Sequence, residues 1–259
     1  MTSQPLDRRR VLARGAAGLS ALLLAGCDRL SAAPWWRDVL ESAEKLTERT
    51  QRALLSSEAL APEYAETDIS PLFRANGTTD PQDDAYRALA ASDFQDWRLA
   101  FDGLVENPQS FSLMDLRAMP ARTQITRHDC VEGWSCIGKW TGVPLAALME
   151  LVRLKPEARY LVFHCADSLG VELDDSGQYY ESLALVDARH PQTILAYDMN
   201  GEILSVPHGA PIRLRVERQL GYKMAKYVMR VEAVADFASM RRGRGGYWED
   251  RGYEWYAGI

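Results

Sequence analysis

The sequence of 259 residues has little of several residue types that mark common kinds of site. It contains only four cysteines and four histidines, and no two cysteines form a CxxC pair. A structural zinc ion needs four converging sulfur or nitrogen ligands, so a zinc site is not expected. The sequence also lacks a CxxCH haem motif and an iron–sulfur cysteine set. Any electrons used in a reaction must therefore be exchanged with a partner.

Excess positive charge is also absent. The formal net charge is −6, and no basic stripe with interleaved aromatic residues runs along the chain. Nucleic acid is therefore not expected as a partner. The chain has no internal repeat and no low-complexity run, and its composition is that of a globular protein. Its length is enough for one large domain.

The N-terminus has the pattern of an export signal. Consecutive arginines at 8–10 precede an apolar run at 16–25, which is too short to span a bilayer comfortably. The arginines resemble a twin-arginine signal, which addresses folded proteins for export. We therefore expect a periplasmic protein.

The end of this signal resembles a bacterial lipobox. Residues 24–27 read Leu-Ala-Gly-Cys, and in a lipobox the cysteine is acylated and becomes the new N-terminus. Asp28 resembles the signal for retention in the inner membrane. We expect the signal, residues 1–27, to be cut just before Cys27. A lipid on Cys27 would then anchor the protein to the inner membrane. A plain signal peptide cut elsewhere is the alternative.

Helices and strands are predicted without a strict βαβ rhythm, which indicates a mixed α+β body. Apolar or alternating stretches predict strands at 97–101, 123–126, 160–163, 194–198, 212–216 and 227–234. Helices are predicted at 36–61, where Pro62 ends the helix, at 85–91, at 112–116 and, after a turn at 140–145, at 145–152. We expect 28–69 to be a linker with the amphipathic helix. The tail, 237–259, cannot build its own core and is expected to wrap over the body.

One short stretch, residues 127–135, holds a solitary cysteine among charged and polar neighbours. Cys130 follows a predicted strand, where reactive side chains are commonly displayed. A thiolate beside Arg127 and His128 suits nucleophilic work or one bond to a soft metal centre. A buried free cysteine is one alternative. A disulfide with Cys136 is another, because exported proteins meet an oxidising compartment.

The predicted loop at 72–81 brings together an arginine, a carboxamide and a glycine, Arg74, Asn76 and Gly77. This set can hydrogen-bond a flat heterocycle or a phosphate, because the glycine lets the backbone approach. An ordinary Asn-Gly turn is the alternative.

Five motifs in fixed order carry a resemblance to a known family. They are 130–135 (Cys-Val-Glu-Gly-Trp-Ser), 140–145 (Trp-Thr-Gly-Val-Pro-Leu), 195–201 (Leu-Ala-Tyr-Asp-Met-Asn-Gly), 208–214 (His-Gly-Ala-Pro-Ile-Arg-Leu) and 221–223 (Gly-Tyr-Lys). Together they resemble the sulfite oxidase family of molybdopterin-dependent oxidoreductases over residues 70–236. The nearest branch is the catalytic subunit of the periplasmic methionine-sulfoxide reductase system. The resemblance implies a sulfite-oxidase-type molybdopterin-binding fold with mixed sheets and surrounding helices.

The resemblance also implies a molybdenum–molybdopterin cofactor. Cys130 would bind the molybdenum, and Arg213 and Lys226 would bind the pterin phosphate. Cys165 stands where the methionine-sulfoxide reductase branch has a threonine. The implied cofactor-binding residues are Arg74, Asn76, Gly77, Cys130, Cys165, His208, Arg213, Met224, Ala225 and Lys226.

The implied reaction is oxygen-atom transfer on a small substrate, either reduction of a sulfoxide or N-oxide or oxidation of sulfite. Tyr179, three residues before Ser182, has the spacing of the tyrosine that holds substrate in sulfite-oxidising members; a packing role is the alternative. A membrane haem protein or a cytochrome c would exchange the electrons. Two other hypotheses stay open: a non-catalytic lipoprotein binding module on the same fold, and a thiol redox protein using Cys130 and Cys136.

Overall fold

The computed structural model describes residues 34–54, 56, 58–170 and 177–259. The predicted signal and lipobox lie outside the described residues. The chain forms two units, 1–54 and 55–259. Among the described helices, none is both long enough and apolar enough to cross a membrane.

The first unit contains one described helix, α1 (Pro34–Leu54). Within it, Arg52 pairs with Glu48 one turn earlier at 2.8 Å. The predicted helix is therefore present, but it ends at Leu54 rather than at residue 61. Beyond this end, the side chain of Ser56 accepts from the backbone N–H of Glu58 at 3.2 Å. Such local bonds compete with helical ones.

The second unit, in its described part, contains ten strands and four α-helices. The strands are β1 (Arg98–Gly103), β2 (Gln109–Ser112), β3 (Arg122–Asp129), β4 (Ser135–Pro144), β5 (Tyr160–Ser168), β6 (Gln178–Ala184), β7 (Ile194–Met199), β8 (Glu202–Ile203), β9 (Arg213–Arg215) and β10 (Val228–Val234). The helices are α2 (Asp84–Ala91), α3 (Leu113–Ala118), α4 (Leu145–Val152) and α5 (Leu185–Ala188), with 3₁₀ turns at Glu66–Asp68, Val206–His208, Gly221–Lys223 and Glu249–Arg251.

The first sheet has the strand order β2-β1-β10-β5-β6. β1 and β10 are parallel, with Phe101 opposite Val231, and the other neighbours are antiparallel. The predicted alternation at 97–101 is confirmed, because Trp97, Leu99 and Phe101 are all fully buried. Their side chains point to one face of the sheet and join the main core.

The second sheet has the order β3-β4-β7-β8, and β9 also pairs with β7. β3 and β4 form a long hairpin that runs from Arg122 opposite Gly142 to Asp129 opposite Ser135. The five residues between these strands include Cys130. The hairpin thus carries the cysteine at its tip.

The predicted turn at 140–145 is wrong, because these residues complete β4 and begin α4. Trp140 and Val143 are fully buried. A Cβ atom on Gly142 would lie 2.2 Å from the carbonyl oxygen of Leu195 on β7. The glycine therefore permits a close approach of two strands rather than marking a turn.

Most other predicted elements are confirmed, with ends shifted by a few residues. Ser112 caps α3, since its hydroxyl accepts from the backbone N–H of Asp115 at 3.0 Å. The strand predicted at 160–163 continues to Ser168 and thus includes Cys165. The mixed α+β class is confirmed by two sheets with few helices.

Candidate active site

Cys130 is held at the tip of the β3–β4 hairpin by its own backbone. Its N–H donates to the carbonyl oxygen of Trp134 at 2.9 Å, and its carbonyl accepts from the N–H of Gly133 at 3.0 Å. Gly133 has φ +85°, a left-handed conformation that suits glycine. The turn fixes the partly buried thiol beyond the strand end.

The thiol lines a cavity of about 130 Å³. Six of the residues predicted for the site share this wall: Asn76, Gly77, Cys130, Tyr179, Met224 and Lys226. They come from the loop before α2, the hairpin tip, β6 and the segment before β10. The fold therefore brings together parts of the chain that are distant in sequence.

The other predicted residues do not line this cavity. Arg74 is exposed and lies over the ring of Trp134, 5.4 Å from its centroid. Cys165 is fully buried in the main core. Ala225 is buried, and its carbonyl accepts from the N–H of Leu214. His208 is half-buried and Arg213 is fully buried.

His208 is a well-satisfied histidine. Its Nε2 donates to the carbonyl of Phe73 at 3.1 Å, so its Nδ1 accepts from the hydroxyl of Ser205 at 2.9 Å. Burial lowers the pKa of His208, and the ring is neutral at pH 7. Its carbonyl oxygen accepts from Arg213 Nη1 at 3.0 Å. The residue therefore ties the loop at 72–81 to the arginine.

Arg213 is a buried cation whose hydrogen-bonding capacity is only partly used. The side chain is fully buried, and Nε and Nη2 have no partner in the described residues. Burial, together with the charge of Arg215, lowers the pKa of Arg213 to about 9. Arg215 itself is paired with Glu217 at 2.6 Å. Arg213 thus lacks the carboxylate that its neighbour has.

Lys226 is the second such cation, and it lines the cavity. Within the described residues, its Nζ donates to two backbone carbonyls, those of Thr78 and Pro207. Burial, and after it the charge of Arg213, lowers the pKa of Lys226 to about 7. The aliphatic stems of the two side chains flank Gly209, where a Cβ atom would lie 2.9 Å from Lys226 Cβ and Cγ and 3.2 Å from Arg213 Cβ. Together Lys226 and Arg213 favour the binding of an anion.

Two buried oxygen atoms also lack a donor. Asn76 Oδ1 and Asp167 Oδ1 have no partner among the described residues, and both side chains line the cavity. Burial raises the pKa of Asp167 to about 6, although a hydrogen bond from Thr78 and the charge of Lys226 oppose it. These oxygens suit a ligand that presents N–H groups. Asp167 was not identified from the sequence; a carboxylate in a mostly apolar strand was the available signal.

The neighbours expected to activate the thiol face elsewhere. Arg127 pairs with Asp129 at 2.9 Å and is largely exposed. His128 is fully buried, with Nδ1 3.1 Å from Arg215 Nη1. Burial raises the pKa of the Cys130 thiol, and Arg74 is the cation that partly opposes this. Burial, rather than a neighbouring imidazole, is thus the main influence on the pKa of the free Cys130 thiol.

No disulfide joins the cysteines within the described part of the chain, where all three are free. Cys136 lies on β4 opposite His128, and its Sγ is 3.8 Å from the carbonyl oxygen of Leu72. The structure therefore does not contain the alternative Cys130–Cys136 bond.

Tyr179 lines the cavity but its hydroxyl is occupied. The O–H donates to the carbonyl of Tyr222, and the ring stacks on Tyr247 at 5.7 Å. Burial raises the pKa of Tyr179 well above its ordinary value, so the phenol stays neutral. Tyr179 thus contributes a packed wall.

The tail supplies aromatic residues that the sequence did not identify as part of the site. Trp248 and Tyr253 line the cavity beside Tyr222. Gly221 also lies on the wall, and a Cβ atom there would be 2.4 Å from the ring of His128. A tail rich in aromatic residues was the only sequence signal, since the contact depends on tertiary folding.

Comparison with known proteins identifies the family. The family model described as oxidoreductase molybdopterin binding domain matches residues 86–240, which is more than half of the chain. The chain belongs to this family. The partly buried cysteine, the buried cations and the unsatisfied oxygen atoms fit such a cofactor, which combines sulfur ligation, a phosphate and a ring with N–H groups.

Two relatives belong to methionine-sulfoxide reductase systems by name. A protein of Azospira oryzae named for the protein-methionine-sulfoxide reductase subunit YedZ1 is 38% identical over 205 residues, 79% of this chain and 70% of the relative. The protein-methionine-sulfoxide reductase catalytic subunit MsrP of Ralstonia nicotianae is 34% identical over 151 residues, 53% of this chain and 44% of the relative. Less than half of the Ralstonia protein is therefore covered.

A solved structure is also similar. The sulfane dehydrogenase SoxCD from Paracoccus pantotrophus aligns with a TM-score of 0.49 and 28% identity. The alignment covers 55% of this chain and 39% of that chain.

Replacing Lys226 with methionine should stabilise the cofactor-free chain. The folded-state pKa of about 7 lies below the ordinary value of 10.5, so holding the proton in the folded state costs stability below pH 7. This penalty fades as the pH rises toward 10.5, and the unfolding free energy of the wild type should rise with it. We expect Lys226→Met to unfold with about 1–3 kcal/mol more free energy near pH 6, with the difference shrinking by pH 10.

Urea denaturation at several pH values measures this effect. Lys223→Met is the matched control, because Lys223 is equally buried but lies between two glutamates. That variant should be less stable than the wild type. A Lys226→Met chain that is less stable near pH 6 would contradict the assignment of Lys226 as an uncompensated cation.

Proposed function

We propose that the protein is an exported molybdenum–molybdopterin oxidoreductase that transfers an oxygen atom on a small substrate. The observation that carries the proposal is that Cys130 and the buried cation Lys226 line one cavity, and that the stems of Lys226 and Arg213 lie on either side of Gly209. A solitary thiol at one part of the wall and unmatched positive charge at another fit a ligand with a metal and a phosphate. Family membership supports the same cofactor.

Each residue has a proposed role toward the cofactor. Cys130 would bind the metal through its thiolate, and Arg213 Nε and Nη2 with Lys226 Nζ would bind the phosphate. Asn76 and Asp167 would accept hydrogen bonds from the N–H groups of the pterin. When bound, the cofactor supplies a two-electron oxygen-atom transfer that no side chain of the chain provides.

The remaining predicted residues act less directly. His208 bonds both the loop at 72–81 and Arg213, so it would position two parts of the binding site. Met224 lines the cavity, and its Sδ is 3.2 Å from His128. Arg74, Cys165 and Ala225 stay candidates through the family resemblance alone.

Replacing Cys130 with serine should strongly reduce molybdenum binding, because a serine hydroxyl does not provide the anionic sulfur ligand that a thiolate provides. We expect metal analysis to find near-stoichiometric molybdenum in the wild type and at least about tenfold less in Cys130→Ser. Cys136→Ser is the matched control and should keep its metal and activity.

The two rival hypotheses give different outcomes. A non-catalytic binding module predicts no molybdenum in the wild type and tolerance of Cys130→Ala. A thiol redox protein predicts that Cys136→Ser is as damaging as Cys130→Ser. Either result, obtained in a host that makes the cofactor, would refute the proposal.

The wall of the cavity favours a neutral sulfoxide over the sulfite dianion. Lys226 is the only cation among the described residues that line it, and Glu132 adds a carboxylate. Residues 171–176, which the structure does not describe, contain no lysine or arginine. Binding of a dianion requires cationic donors that are not already assigned to the phosphate. The names of the two relatives support the same choice.

We therefore expect turnover with sulfoxides. A sulfoxide takes up two electrons and two protons and leaves as the sulfide and water. Oxidation of reduced benzyl viologen should depend on added dimethyl sulfoxide, and methionine sulfoxide should also serve. Sulfite should not reduce cytochrome c above the background rate. Sulfite-dependent reduction of cytochrome c without sulfoxide activity would reverse the assigned direction.

Export and anchoring complete the proposal. The twin-arginine pattern and lipobox support a periplasmic enzyme held to the inner membrane at Cys27, where it would exchange electrons with a membrane haem protein or a cytochrome c. Cys27→Ser should move the protein from the membrane to the soluble periplasmic fraction, because the acyl chains supply the membrane affinity. Fractionation with immunoblotting measures this. A Cys27→Ser protein that has lost residues 1–26 and still stays with the membrane would exclude the lipid anchor.

A further inference from the structure

The C-terminal extension, residues 237–259, supplies one wall of the cavity. Trp248 and Tyr253 stack on one another at 5.2 Å and 27°, and both line the cavity. Tyr253 also meets the ring of Tyr222 edge to face at 5.2 Å. Such pairs fix ring positions. This aromatic wall, Tyr222, Trp248 and Tyr253, therefore limits the space beside Cys130.

A buried cluster of three charged groups joins the wall to the body. Lys223 Nζ donates to Glu181 and to Glu249 Oε1, the latter at 2.6 Å. Each of the three side chains is at most 1% exposed. Lys223 belongs to the turn that carries Tyr222, Glu181 to β6 and Glu249 to the extension. One cluster thus connects three segments around the cavity.

The charge balance of the cluster favours protonation of Glu181. Two carboxylates and one ammonium would leave a net negative charge in the interior, which is costly. Burial, and after it the charge of Glu249, raises the pKa of Glu181 well above its ordinary value. Protonation of Glu181 therefore relieves the excess negative charge of the cluster. A glutamine at position 249 would keep a side-chain oxygen that can accept from Lys223.

Backbone bonds hold the extension on both sides of this cluster. The N–H of Tyr247 donates to the carbonyl of Tyr180 at 3.0 Å, and the hydroxyl of Tyr222 donates to the carbonyl of Glu254 at 2.6 Å. Between these points lie Trp248 and Tyr253. Glu249 is the residue of this span with a buried side-chain tie to Lys223.

We propose that the Lys223–Glu181–Glu249 cluster positions the aromatic wall and thereby decides how large a sulfoxide can reach Cys130. The three charged residues are positioning residues, since none of them lines the cavity. Trp248 and Tyr253 are the specificity-determining contacts. The inference rests on the proposed function for its substrate class.

Kinetics of three variants with two sulfoxides test the proposal. Glu249→Ala should change the ratio of kcat/KM for dimethyl sulfoxide to that for methyl p-tolyl sulfoxide by about tenfold, mainly through KM. Glu249→Gln should restore the wild-type ratio, because it keeps the hydrogen bond to Lys223. Glu254→Gln, an exposed carboxylate of the same extension, is the matched control and should leave the ratio unchanged. Molybdenum content should stay at the wild-type level in all three.

Trypsin provides a readout that does not depend on turnover. Arg241, Arg242 and Arg244 precede the wall, and cleavage there should be faster in Glu249→Ala but not in Glu249→Gln. Trp248→Ala removes a ring without touching the cluster and should change the substrate ratio in the same direction as Glu249→Ala, with no change in cleavage.

Failure of the positioning role and failure of the proposed function give different results. An active wild type whose substrate ratio is unchanged in both Glu249→Ala and Trp248→Ala would overturn the positioning role. Loss of molybdenum from Glu249→Ala would assign the wall to cofactor retention and would also overturn it. A wild type without molybdenum or sulfoxide activity would refute the proposed function, while the trypsin comparison would still test the cluster.

Discussion

Uncompensated positive charge in a protein interior is the constraint on which this site depends. Arg213 and Lys226 are both buried, and no carboxylate in the described part of the chain forms an ion pair with either, whereas Arg215 and Lys223 nearby are paired with glutamates. Isolated buried cations cost free energy, so a fold retains them only where another group supplies the opposing charge. Within one short stretch, Arg215 and Lys223 are therefore structural charges. Arg213 and Lys226 are the charges proposed to bind a ligand.

The sequence predicted the fold class and most strands, because alternation and apolar runs report burial directly. It also predicted Cys130, Asn76 and Lys226 as neighbours through the family motifs, and the fold brings them to one cavity. The turn assigned to 140–145 was wrong because a glycine that permits close strand approach looks the same in sequence as a turn glycine. Gly142 shows this ambiguity.

The site residues that could not be predicted from the sequence are those that reach the cavity through tertiary contacts. Asp167, Trp248 and Tyr253 line the cavity through contacts between elements far apart in the chain. A carboxylate in an apolar strand and an aromatic-rich tail are visible in the sequence, but neither pattern places these residues at the site. The surroundings of the Cys130 thiol could not be predicted from the sequence either. Arg127 and His128 adjoin Cys130 in sequence, yet strand geometry turns one to the surface and the other into the core.

The parallel pairing of β1 with β10 has a consequence for biogenesis. Ala100 pairs with Arg230, so about 130 residues separate the partners. Contacts between residues so far apart in sequence form slowly, and β10, the central strand of the first sheet, can insert only after the chain through Val234 has been made. Lys226 lies just before that last strand and reaches its place only then. The cavity therefore cannot form before the chain through Tyr253 has been made, because Trp248 and Tyr253 also line it.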